Sequence, residues 1–101
     1  MIINQLIFKA KPGQAAAIAE ITIAEIKRFN SPLLRHWRVS VSSYGVMGQV
    51  SMQLEFDDVE ACEQFWPAWL AEPSTPAHLK QLDSLTEFGG TNEIWPIIDQ
   101  S

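Results

Sequence analysis

Two histidines, one cysteine, four tryptophans and an asparagine set in an apolar strand are the side chains of this 101-residue sequence that could do chemistry. An imidazole titrates near neutral pH, so it can take up a proton, release one or bind a metal. His78 stands at helical spacing with Leu82 and Leu85, which turns it toward an apolar interior. The same position suits either an acid, base or ligand, or a packed ring satisfied by protein groups. His36, beside Trp37, falls on the polar side of a strand. Asn4 interrupts the row Ile2, Leu6 and Phe8; its amide could donate to a ligand oxygen or be matched by backbone. Trp66 and Trp69 share an apolar helical stripe, as core or as the wall of a pocket. Arg35 and Arg38 could hold an anion, and Arg38 could instead pair with an acid such as Glu55 on a facing strand. Cys62 has no evident cationic neighbour, which favours a small buried hydrophobe over an activated thiolate. HxH, HExxH and CxxC patterns are absent, as are phosphate-binding glycine loops and Gly-x-Ser-x-Gly elbows. No metal site is therefore expected.

These residues must be positioned by regular elements. Ile2–Ala10 alternates as a strand and stops at Lys11-Pro12-Gly13. Residues 15–29 place Ala15, Ile18, Ala19, Thr22, Ile23, Ile26 and Phe29 on one helical stripe, ended by Asn30-Ser31-Pro32. Leu33–Ser43 reads as a second strand and Gln49–Phe56 as a third, the latter alternating Val50, Met52, Leu54 and Phe56 with polar residues. The intervening Tyr44-Gly45-Val46-Met47-Gly48 predicts the turn of an antiparallel hairpin. Asp57-Asp58-Val59-Glu60 opens a helix with the acidic first turn that the helix dipole favours. Its apolar stripe is Val59, Cys62, Phe65, Trp66, Trp69 and Leu70, with a kink or restart expected at Pro67. Ser74-Thr75-Pro76 predicts a new helix start, and Phe88-Gly89-Gly90 its stop. Glu93–Ile98 then forms a last short strand, which Pro96 assigns to a sheet edge.

The order β-α-β-β-α-β is a split βαβ arrangement of the ferredoxin-like α+β class, filling the whole chain, residues 1–101, as one domain. Two helices cover only one side of a four-stranded sheet. The other side keeps Ile3 and Ile7 among polar residues, a natural docking surface for a second copy. A 47% apolar share supports one real core. Net charge is −5 and the seven Lys and Arg are scattered, which argues against nucleic acid. The longest uncharged stretch, Val39–Leu54, is too polar for a membrane span. A single cysteine and an N-terminus without a signal-peptide pattern suggest a cytoplasmic protein.

A strand closed by Lys11-Pro12-Gly13, then an acidic turn leading into Phe65-x-x-x-Trp69-Leu70 and on to His78, resembles the dimeric α+β barrel superfamily. The likeness is to its antibiotic-biosynthesis-monooxygenase-like and NIPSNAP-like branches and spans nearly the whole chain. It implies a homodimer joined through the uncovered sheet face. It also implies a small hydrophobic or aromatic ligand between sheet and helices, where Asn4, Trp37, Trp66, Trp69 and His78 are expected to converge. The monooxygenase-like branch implies cofactor-independent oxygenation of an aromatic or polyketide-like substrate, with His78 as base, Asn4 as hydrogen-bond donor and Arg38 as a further binding residue. The NIPSNAP-like branch implies binding without catalysis. A haem-degrading branch, with counterparts by position at Asn4, Trp69 and His78, implies haem as the alternative to having no cofactor.

Overall fold

The computed structural model describes residues 1–42 and 47–99. Among these, the order is β1 (Ile2–Ala10), α1 (Ala15–Phe29), β2 (His36–Val41), β3 (Gln49–Phe56), α2 (Val59–Leu70), α3 (Thr75–Leu85) and β4 (Thr86–Pro96). The strands form one sheet in the order β2-β3-β1-β4, antiparallel throughout. This is the expected split βαβ topology, with the second crossover made of two helices.

Register decides which residues face the helices, because side chains alternate strictly along a strand. Asn4 lies opposite Leu54 on one side and Ile94 on the other, and Leu6 lies opposite Met52 and Asn92. These share the helix-covered face with Val50 and Phe56, the centre of the core. Ile3 lies opposite Glu55 and Trp95, and Gln5 opposite Gln53 and Glu93, on the open face. There Gln53 Nε2 donates to Gln5 Oε1 at 2.8 Å.

Helix ends follow local chemistry. Asp58 caps α2 by accepting from the Ala61 N–H at 2.8 Å. Asn30 ends α1 in the left-handed region, its N–H returning to the Ile26 carbonyl. Of the kink or restart expected at Pro67, the restart does not occur: α2 runs through the proline to Leu70, and the Pro67 carbonyl accepts from the Ala71 N–H at 3.0 Å. The Thr75 hydroxyl donates to the Trp69 carbonyl at 2.5 Å, tying the start of α3 to the end of α2.

Two boundaries differ from the sequence reading. The second strand begins at His36, since Leu34 is held in a turn by its N–H to the Ser31 carbonyl. The fourth strand starts at Thr86, not Glu93. Gly89 and Gly90 lie inside it, where the register against β1 shifts between Ile7 and Lys9. The pair makes a bulge, not a stop. A Cβ on Gly90 would stand 2.5 Å from the Ile7 carbonyl oxygen, so only glycine lets the strands close there. Of the predicted hairpin turn, residues 44–46 lie outside the described residues.

Candidate functional site

Between the helices and the covered face of β1 and β3 lies a cavity of about 200 Å³. Leu6, Phe8, Met52 and Leu54 form its floor, α1 one wall, and α2 with α3 the other. Trp66, Trp69 and His78 all line it. Their rings continue a chain of edge-to-face contacts that starts in the core. Phe56 meets Phe65 at 5.2 Å, Phe65 meets Trp66 at 5.2 Å, Trp66 meets Trp69 at 5.7 Å and Trp69 meets His78 at 5.7 Å. Such pairs add specific geometry to area burial. The chain fixes the imidazole against packed aromatics instead of leaving it free on a surface helix.

Opposite His78, α1 contributes Glu25, whose Oε2 lies 3.5 Å from His78 Nδ1. Both side chains are nearly buried, at 11% and 14% exposure. Burial works to raise the Glu25 carboxyl, but hydrogen bonds from Arg28 and Trp69 and the Arg28 charge outweigh it, leaving the group below its ordinary value. Trp69 Nε1 donates to Glu25 Oε1 at 3.3 Å, and Arg28 bridges Glu25 and Glu72. Burial lowers the His78 pKa, against the pull of Glu25 and with the Arg28 charge adding to it, so the ring is neutral near pH 7. Nε2 makes no hydrogen bond to a protein group among the described residues.

Asn4 is 1% exposed and sits beneath Trp66, outside the cavity lining. Its Nδ2 donates to Asn92 Oδ1 at 2.6 Å and to the Glu93 carbonyl at 3.0 Å, and its Oδ1 accepts from Trp66 Nε1 at 2.8 Å. Both amide hydrogens are therefore committed within the protein. Cys62 Sγ approaches the same Oδ1 at 3.7 Å, and burial pushes its thiol pKa up. Trp37 and Arg38 do not join the cavity. With His36 they line a shallow concavity of about 160 Å³ at the β2 edge, beside Ile3, Gln53 and Glu55. Trp37 does not line the interior cavity: it stands on the edge strand β2 and is 38% exposed, although α1 packs over that strand. Arg38 faces Gln53 across the ladder, and His36 is the residue opposite Glu55. Arg35 forms a two-point pair with Asp57 at 3.0 and 2.7 Å.

Two lining residues were not singled out from sequence: Glu25 and Thr22. Thr22 was visible as the one hydroxyl in the apolar stripe of α1, and Glu25 follows it by three residues, on the same side of the helix. Neither carries a motif. No cluster of His, Cys, Asp and Glu able to hold a metal exists among the described residues. No described helix is long and apolar enough to cross a membrane.

No protein-family model matches the chain, and no curated protein does. Solved structures do match it over nearly their full length. An uncharacterised NIPSNAP domain protein from Burkholderia xenovorans superposes with a TM-score of 0.82 at 14% identity, covering 100% of this chain and 99% of that one. A NIPSNAP family protein from Agrobacterium tumefaciens gives 0.79 at 17% identity, over 99% and 95%. An antibiotic biosynthesis monooxygenase gives 0.73 at 13% identity, over 98% and 100%. At these identities the likeness is one of architecture. The chain has the ferredoxin-like α+β fold shared by antibiotic-biosynthesis-monooxygenase-like and NIPSNAP proteins.

Proposed function

We propose that the cavity binds a small aromatic molecule and that His78 removes a proton from it, initiating cofactor-independent oxygenation. The observation behind this reading is the His78–Glu25 pair at 3.5 Å in an otherwise apolar, aromatic-walled cavity. A neutral imidazole is ready to accept a proton, and an adjacent carboxylate that stays ionised stabilises the imidazolium that results. With the proton gone from an activated methylene, the carbanion gives its electrons to dioxygen. The methylene becomes a carbonyl, one oxygen atom is retained and the other leaves as water. Trp66 and Trp69 act as walls that keep the anion away from bulk water. Asn4 serves by holding the Trp66 indole, since its amide hydrogens are already used. Trp37 and Arg38 have no part in this site. Haem is not part of this reading: pockets that hold drug-sized ligands run to about 300–1,000 Å³, against about 200 Å³ for this cavity. The open sheet face, where exposed Trp95 lies beside Ile3, is the surface we assign to a second copy.

The test uses a bicyclic enolisable ketone such as tetralone in heavy water. NMR follows deuterium exchange at the carbon next to the carbonyl, and an electrode follows oxygen uptake. The protein should accelerate both, and His78→Gln should reduce exchange by about 10²–10⁴-fold, the range for a positioned base. Binding with no exchange above buffer would overturn catalysis. It would leave the non-enzymatic alternative, which has support in the structure: Glu25 is already engaged by Arg28 and Trp69.

A further inference from the structure

Thr22 is 4% exposed and lines the cavity from the centre of α1. Its Oγ1 is the one fully buried side-chain polar atom, among the described residues, that lacks a hydrogen-bond partner. A threonine inside a helix ordinarily settles its hydroxyl on the carbonyl one turn back. Here that bond is not made. An unmet hydroxyl in an apolar enclosure is unfavourable until something supplies an oxygen to it. Asn4 cannot be the donor that the cavity offers its ligand, because both of its amide hydrogens are spent on Asn92 and Glu93. Trp69 Nε1 is likewise engaged, by Glu25.

We propose that the Thr22 hydroxyl is the specificity-determining contact of the cavity, binding the single hydroxyl or carbonyl oxygen of an otherwise apolar aromatic ligand. Thr22 and Glu25 lie three residues apart on one side of α1, while His78 enters from α3. A ring seated on Leu6, Met52 and Leu54 then has the threonine on one side, its covered Oγ1 within reach once the side chain turns about χ1, and one proton acceptor on the other, with aromatic edges around the remainder. For an enolisable ligand, Thr22 donates to the oxygen on which negative charge gathers as His78 takes the proton. The inference rests on the proposed ligand site but not on turnover, because it is read out by binding alone.

The experiment compares naphthol with methylnaphthalene, which have closely similar shape, by protein NMR titration of the wild-type chain, Thr22→Val and Thr22→Ser. Wild type should prefer naphthol by about tenfold, the discrimination a buried neutral hydrogen bond gives. Thr22→Val keeps shape and volume and should abolish the preference without weakening methylnaphthalene. Thr22→Ser should retain it. Equal affinity of wild type for both probes, or a preference that survives in Thr22→Val, would overturn the proposal, the first outcome meaning that water alone meets the hydroxyl. Failure of either probe to bind any variant would overturn the ligand site itself. Absent deuterium exchange beside an intact naphthol preference would remove catalysis and leave Thr22 in its role.

Discussion

At the scale of single residues, His78 and Asn4 were each open to two readings in the sequence, and packing gives them different surroundings. His78 lines the cavity, and its neutral state has a linkage consequence. Its folded pKa lies below its ordinary value of about 6.5, because burial disfavours the charged ring. Above that value neither folded nor unfolded chain carries the proton, and the native state has its full stability. As pH falls below it, the unfolded chain binds the proton first and stability declines until the folded pKa is passed. Glu25, also lowered, adds a loss in the same direction at more acid pH, starting below its ordinary carboxyl value. Urea midpoints measured from pH 7.5 to pH 5 should therefore decrease, and His78→Gln should flatten the part just below about 6.5. Asn4 is a junction instead. Asn4→Leu leaves the Trp66 indole N–H without its acceptor and should cost about 1–3 kcal/mol in denaturant unfolding. An unaltered midpoint would show that water replaces the amide.

At the scale of elements, periodicity together with the breakers Lys11-Pro12-Gly13 and Asn30-Ser31-Pro32 located β1, α1 and β3 at the boundaries observed. It failed where backbone conformation and not hydrophobicity decides. Phe88-Gly89-Gly90 has the composition of a terminator, yet the glycines carry the strand through a bulge, Gly89 at a φ of 112°. Nothing in composition distinguishes a glycine that ends an element from one that lets two strands approach. The distinction can be checked. Gly90→Ala must displace the Ile7 carbonyl oxygen and should destabilise by about 1–3 kcal/mol, the range for overpacking a closed site. Amide exchange should speed up along β4 near the bulge, with β2–β3 pairing unaffected. Glu25 was missed for a related reason. A carboxylate next to an apolar stripe looks solvated until the partner element is known, and α3 brings His78 to it only in three dimensions.

At the scale of the whole molecule, the sheet is sided. The helices lie over one face, α1 reaching as far as β2, while most side chains of the two edge strands stay exposed. Trp95 is 56% exposed on the open face, and Ile94 is 47% exposed on the other side of the same strand. Large apolar side chains on both faces of one edge strand are uncommon in a stable monomer. Sedimentation at micromolar concentration should give twice the mass of the 11.4 kDa chain, and Trp95→Lys should shift it toward the monomer. A monomeric wild type would count against the second copy. This sidedness was legible in the sequence as Ile3 and Ile7 opposite the core row; Trp95 was not, because its face follows from pairing with β1 that begins at Thr86, ahead of the alternation visible from Glu93.

The contact between Trp69 and His78 also makes the molecule its own indicator. The rings meet edge to face at 5.7 Å. A protonated imidazole takes electron density from an excited indole far better than a neutral one does. Light emitted by Trp69 should therefore dim as His78 gains its proton, and His78→Gln should abolish that part of the change. The charge state of the proposed base can be read from the glow of its neighbour in unlabelled protein, with no substrate present.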